Sequence, residues 1–218
     1  MAHIHLPEGT FTLLWVIIWW SLAAISIAVC IFWLRNVRKI DNRMITLAGL
    51  CTAAAFAVFQ INIPLFGGVH LNLTPLVGIL VGPAPGSIIV LIVNIFSAAI
   101  GHGGWGLIGA NSLVNIIEVI AAYSIYRWMG RLNTGAFSRA GIATLVALFA
   151  GNAAVVAIIA VSDIQGVDQP IGSILQGLIL LAGINMAVAV IEAIITGYIV
   201  SYIQKIRPDI LRETKPHA

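Results

Sequence analysis

Seven apolar runs divide the 218-residue chain, separated by connections rich in charge, glycine or proline. They cover about residues 11–34, 44–62, 71–83, 86–100, 107–128, 139–161 and 171–204. Crossing the hydrocarbon core of a bilayer takes about 20 apolar residues, and most of the runs supply that length. The third is short, and the stretch Gly82-Pro83-Ala84-Pro85-Gly86 separates it from the fourth. This pair therefore reads as a bent or partly re-entrant unit. A backbone break cannot face lipid, so it belongs inside the protein or at the water interface. The pattern predicts an all-α polytopic membrane protein with seven transmembrane helices. One transmembrane domain covers residues 1–218, with residues 1–10 as an extracellular segment. The first run has no basic flank before it and is too long for a signal-peptide core, so it reads as a retained span.

Composition agrees. Hydrophobic residues make up 60% of the chain and charged residues 9%, against roughly 25% charged in soluble domains. The net charge of +3 says less than its distribution. Arg35, Arg38, Lys39 and Arg43 lie between the first and second runs. Arg127, Arg131 and Arg139 lie between the fifth and sixth, and Lys205, Arg207, Arg212 and Lys215 follow the seventh. With seven spans all of them fall on one side, which the positive-inside rule makes cytoplasmic. The N-terminus is then outside and the C-terminus cytoplasmic. No basic face interleaved with aromatics points to nucleic acid.

Four of the five histidines fall on the opposite, outer side: His3, His5, His70 and His102. Neutral imidazole is a common ligand for nickel, cobalt, copper and zinc ions. At the N-terminus, Met1, Ala2 and His3 have the spacing that lets the α-amine, backbone nitrogens and an imidazole wrap a metal in a planar set. His5 adds a second imidazole. His70 follows Gly67-Gly68, and His102 sits in Gly101-His102-Gly103-Gly104; both are compact turns near the outer face. Asn72 and Thr74 are placed to orient His70 through hydrogen bonds. His102 is the weaker candidate, fitting an interfacial polar residue as well as a ligand.

Within the runs, Asn94, Asn111, Asn115, Asn152 and Asn185 read as interhelical hydrogen-bonding residues. Glu118 and Glu192 fit either packing or a functional role, since ionisable groups at depth usually face a bundle interior. Ala53 and Ala57 form a small-xxx-small step that permits close helix contact, internally or with a partner subunit. Cys30 and Cys51 read as packing residues. The chain has no GxSxG, HExxH or P-loop motif, so no enzymatic activity is expected of it.

These residues together resemble the CbiM/NikM family, the substrate-binding membrane subunits of energy-coupling-factor transporters for cobalt and nickel. The resemblance covers nearly the whole chain. Pro7-Glu8-Gly9 matches the end of the family's opening Met-His-Ile/Leu-Pro-Glu/Asp-Gly. Gly82-Pro83 is similar to its break between helices. Gly101-His102-Gly103-Gly104 and Leu107-Ile108-Gly109-Ala110-Asn111 are similar to its G-D-G-G…LGAN stretch. The resemblance implies a seven-helix bundle that captures Ni(II) or Co(II), as transported substrate, through the N-terminal segment and a loop histidine, here His70. It implies a transmembrane coupling subunit and cytoplasmic ABC-type ATPase subunits as partners, with ATP hydrolysis in those partners. It also implies a prokaryotic cell membrane as the location. No organic cofactor is implied. Two positions depart from the pattern. Aligning on Pro-Glu-Gly places His5 where the family has its second-residue His, leaving three extra residues in front. The site is then rebuilt on Met1, Ala2 and His3, or His5 keeps its place without the amine, or the extra residues reflect start-site choice. His102 stands where the family usually has Asp. A stand-alone secondary metal transporter and a membrane metal sensor are the alternative functions.

Overall fold

The computed structural model describes residues 9–37, 41–63, 69–71, 73–132, 134–162 and 171–211. Each of the seven predicted runs contains a helix: α1 (Leu13–Asn36), α2 (Asn42–Phe59), α3 (Thr74–Val81), α4 (Pro83–Ala99), α5 (Ile108–Met129), α6 (Ala136–Val161) and α7 (Ile171–Ile206). A four-residue helix, α8 (Pro208–Leu211), follows. Between α2 and α3, strands β1 (Asn62–Ile63) and β2 (Val69–His70) pair antiparallel, with Asn62 opposite His70.

Among the described residues, five helical stretches are long and apolar enough to cross a membrane: Leu13–Asn36, Asn42–Phe59, Trp105–Leu132, Ala136–Val161 and Ile179–Ile206. The helix α4 is shorter, at 17 residues, and α3 has eight. The break between them differs from expectation. Helix α4 starts at Pro83 rather than near residue 86, because a helix's first turn needs no amide protons and Pro83 occupies its first position. The turn is made by Gly82 alone, at φ 86, and it is buried in protein as a break at membrane depth must be. Helix α2 ends at Phe59, before residue 62, because Asn62 and Ile63 enter β1.

Helix α5 is the axis, packing against α1, α3, α4 and α6, while α6 packs on α7. Two of its interfaces are too close for any side chain. A methyl group at Gly78 of α3 would lie 2.6 Å from the Val119 carbonyl oxygen, and one at Gly109 of α5 would lie 2.5 Å from the Trp20 amide nitrogen. Toward α6 and α3, Ala122 and Tyr126 of α5 meet Ala140, Ala143 and Ala147, with Leu76 and Ile79 closing the cluster. Between α6 and α7, the Asn185 amide donates to Asn152 Oδ1 at 3.0 Å, and Asn152 Nδ2 donates to the Leu148 carbonyl at 3.0 Å. That is the packing role expected of these two asparagines.

The contacts sort the bundle into two ends. Helices α1 and α5 run parallel, since Trp20 meets Gly109 and Ile27 packs with Ile116 and Val119. Arg35 in the last turn of α1 is therefore at the same end as Arg127. Arg139 lies over the Tyr126 ring at 3.7 Å, and Phe137 of α6 packs on Tyr198 of α7. Arg43 at the start of α2 pairs with Asp209 of α8, which also takes two hydrogen bonds from Arg207 at 3.1 and 3.0 Å. Those bonds from Arg207, together with the nearby Arg43, draw the Asp209 pKa down to about 2, so the junction stays charged at neutral pH. Every described Lys and Arg thus gathers at one end. Residues 102–107 lead into α5 at the other, about 33 Å away along its 22 residues.

Gly78→Ala should lower stability by about 1–3 kcal/mol, the usual cost of overpacking, because backbone rather than a flexible side chain blocks the methyl. Thermal unfolding in detergent measures it. A midpoint equal to wild type would mean that the α3–α5 approach is looser than described.

Candidate functional site

His70 and His102, 32 residues apart in sequence, stand side by side with ring centroids 4.4 Å apart and planes at 79°. Different local devices bring each there. His70 closes the hairpin, opposite Asn62. His102 is delivered by the C-terminal cap of α4. The Gly101 amide bonds the Ala98 carbonyl at 3.0 Å, and the His102 amide bonds the Ser97 carbonyl at 2.8 Å. That paired pattern needs a left-handed residue just past the helix, which Gly101 supplies at φ 82. The sequence Gly-His-Gly-Gly is thus a helix stop that presents its histidine.

Phe59, the last residue of α2, touches both rings, at 5.7 Å from His70 and 5.0 Å from His102. Thr74, at the first position of α3, is buried. Leu73 before it takes a left-handed φ of 52, a conformation that costs a non-glycine residue roughly 1–2 kcal/mol. This strained residue lies three positions after His70. Phe59, Thr74 and Asn115 also line a cavity of about 10 Å³, close to the room one water needs. Asn115 is buried, and its Oδ1 has no hydrogen-bond partner among the described residues. Nearby, Gln60 donates to Ser97 Oγ at 3.3 Å and Asn94 donates to Ser112 Oγ at 3.2 Å. Two indole contacts join α1 to this end: Trp19 to Ser162 Oγ at 2.9 Å and Trp20 to the Trp105 carbonyl at 3.2 Å.

Of the residues singled out from sequence, the structure unites His70, His102 and Thr74 at one end of the bundle. Met1, Ala2, His3, His5 and Asn72 lie outside the described residues. Among the described residues no group of three or more His, Cys, Asp and Glu is arranged to hold a metal ion; this part of the chain supplies a pair of nitrogen donors. Glu118 and Glu192 are fully buried, and Glu118 lies against Gly151 of α6. Ala53 and Ala57 are exposed on α2. Phe59 was missed by sequence reasoning, since nothing distinguishes it from other apolar residues of its run. The Ser97 carbonyl was missed too, although Gly101 marks the cap that uses it.

Burial depresses the pKa of both histidines. For His70 the charge of a protonated His102 adds to this, and hydrogen bonding to the backbone of Ile61 opposes it. Both rings are therefore neutral at pH 7, the state that coordinates a metal. The unfolded chain takes up protons first as pH falls below the ordinary value of about 6.5. Stability linked to these rings is thus intact above that value and is lost as pH falls from it toward the depressed folded values. In the metal-free protein, ring-proton NMR should give midpoints below 6.5 for both. A midpoint at or above 6.5 for either would contradict the burial described.

Comparison with known proteins places the chain in context. The family described as "CbiM: Cobalt uptake substrate-specific transmembrane region" matches residues 5–210. A cobalt transport protein, CbiM 2 of Methanocorpusculum labreanum, is 28% identical over 96% of this chain and 93% of its own length. A fused nickel transport protein, NikMN of Archaeoglobus fulgidus, is 29% identical over 96% of this chain and 68% of its own length. The crystal structure of a truncated transition metal transporter superposes with a TM-score of 0.79 at 22% identity, over 93% of this chain and 99% of that one. At that identity the last likeness speaks to the fold.

Proposed function

Because the chain belongs to the CbiM family of cobalt-uptake transmembrane regions, we propose that it is the substrate-capture subunit of an ATP-driven importer of Ni(II) or Co(II). It is a multi-pass membrane protein of a cobalt and nickel transport family. The single observation that carries the finer reading is the His70–His102 pair, neutral, with His70 buried and His102 half-buried, at the end of the bundle opposite the cationic residues. The two ends are about 33 Å apart along α5, close to the roughly 30 Å hydrocarbon thickness. With the Lys and Arg end cytoplasmic, the histidine end faces outward. All seven helices then belong to the membrane domain, the short α3 and α4 together entering from the outer end and returning to it, and the N-terminus lies outside.

The metal is the substrate. His70 provides one imidazole and the N-terminal segment further donors. The family match begins at His5, which supports His5 over Met1-Ala2-His3 as the N-terminal ligand. His102 stands beside His70 as a second imidazole, and Thr74 and Asn72 flank His70 in sequence and position its loop. Binding displaces protons from the ligands, so affinity falls with acid. A transmembrane coupling subunit docks on the exposed small-residue face of α2 at Ala53 and Ala57, and cytoplasmic ATPase subunits drive release.

Calorimetry with Ni(II) and Co(II) tests the ligands. His70→Ala and His5→Ala should each cost more than the roughly 10–100-fold that loss of a merely orienting partner costs. Thr74→Val should stay within that range, and His3→Ala should bind like wild type. Unchanged affinity in His70→Ala would remove it from the site. Loss confined to His3→Ala would move the N-terminal ligand to Met1-Ala2-His3. Separately, Ala57→Leu should reduce co-purification with the coupling subunit while leaving metal affinity unchanged. Full co-purification of both Ala53→Leu and Ala57→Leu would place docking elsewhere.

A further inference from the structure

At the cationic end, a crevice of about 330 Å³ opens between α1, α2 and α4. Leu34, Met44, Ile45, Ala48, Ile88 and Ile92 are among its walls. Its one hydroxyl, Thr52, is spent on the Ala48 carbonyl at 2.8 Å, so the lining offers water nothing. An apolar cavity of about 150 Å³ stays dry and accepts a benzene-sized ligand; this one is roughly twice that and calls for a longer hydrocarbon. The packing of protein interiors leaves few such voids unfilled.

Cationic residues adjoin the crevice lining in the chain. Leu34 is followed by exposed Arg35, and Met44 is preceded by Arg43. Arg38 and Lys39 stand between them in the sequence, in the connection joining the two lining helices. The only acidic residue of that connection, Asp41, uses its carboxylate to accept from the Met44 amide and cap α2. Arg43 is shared with Asp209. Positive charge at the interface over a hydrocarbon-sized slot is complementary to one class of molecule, a phospholipid of net negative charge. We propose that this crevice is a binding site for an anionic phospholipid, one acyl chain lying between α2 and α4 and the phosphate at Arg35. The proposal rests on the membrane orientation above, and metal capture does not enter it.

Nanodiscs of mixed phosphatidylcholine and phosphatidylglycerol, analysed by native mass spectrometry of the released full chain, test it. The wild type should retain one phosphatidylglycerol, enriched by about fivefold for each cation engaged. Arg35→Glu should abolish the enrichment. Gly49→Leu, at a lining position where an added Cβ meets nothing within 4 Å, should lose the lipid. Ile88→Trp should lose it as well, so that one poorly folded variant does not decide the result. Equal retention of the two lipids by wild type overturns the headgroup assignment. Undiminished phosphatidylglycerol in both crevice variants overturns the seat. Absence of bound lipid, with cross-linking of Gly49→Cys to the coupling subunit, assigns the crevice to protein instead. Ni(II) titration of the same samples keeps the outcomes apart. Retained metal binding with lost lipid selectivity sinks this site and leaves the proposed function standing.

Discussion

Lipid tails are as apolar as leucine, so helices in a bilayer are held together by close packing and buried hydrogen bonds rather than by exclusion of water. Both operate on α5. It meets α3 at Gly78 and α1 at Gly109 closely enough that backbone touches backbone. It meets α6 along a seam of alanines. The polar residues of the interior are arranged about the same axis: Asn94 with Ser112, Asn152 with Asn185, and Glu118 against Gly151. Take away the close approach at Gly78 and α3 shifts. With it move Thr74, the strained Leu73 and the hairpin that carries His70.

The histidine pair is therefore a product of element ends. Helix α2 stops at Phe59, α4 stops at Ala99 with Gly101 just past its cap, and α3 begins at Thr74. Three helix termini converge, tied by the cap of α4 and by the β1–β2 hairpin. The Phe59 ring packs against both imidazoles at this convergence, and their burial favours the neutral form. Neutral nitrogen donors favour borderline cations of the nickel and cobalt kind over magnesium or calcium, which prefer oxygen.

Much of this was legible in the chain. Apolar runs located every helix from α1 to α7, because membrane depth demands long unbroken apolar stretches and tolerates few polar exceptions. The gathering of Lys and Arg at one end followed from counting runs. Helix ends were read less well, and for local reasons. Pro83 and Pro85 look like breakers, yet a first turn accepts them, so α4 begins earlier than expected. Residues 60–63 continue the apolar pattern of α2, but the hairpin claims Asn62 and Ile63. His70 and His102 were each visible as candidates. Their contact was not, because it depends on a cap in one loop, a hairpin in another and Phe59 on a third element. No local periodicity encodes that meeting.

The same two helices serve both ends of the molecule. Helix α2 carries Phe59 at the histidine end and lines the crevice from Met44 to Thr52; α4 ends in the cap that presents His102 and lines the crevice from Pro85 to Ile92. They also pack on each other, through Cys51 and Ala55 against Ile89 and Val93. Spatial continuity alone is not coupling; that requires the α2–α4 pair to have two arrangements which both sites distinguish. If occupancy of the crevice biases this pair, it changes metal affinity by some factor, and linkage requires metal to change occupancy of the crevice by the same factor. A capture subunit of the kind proposed, holding its ion outside and yielding it inside, needs an element of this kind. Of the helices that meet at the histidine pair, α2 and α4 are the two that also reach the crevice.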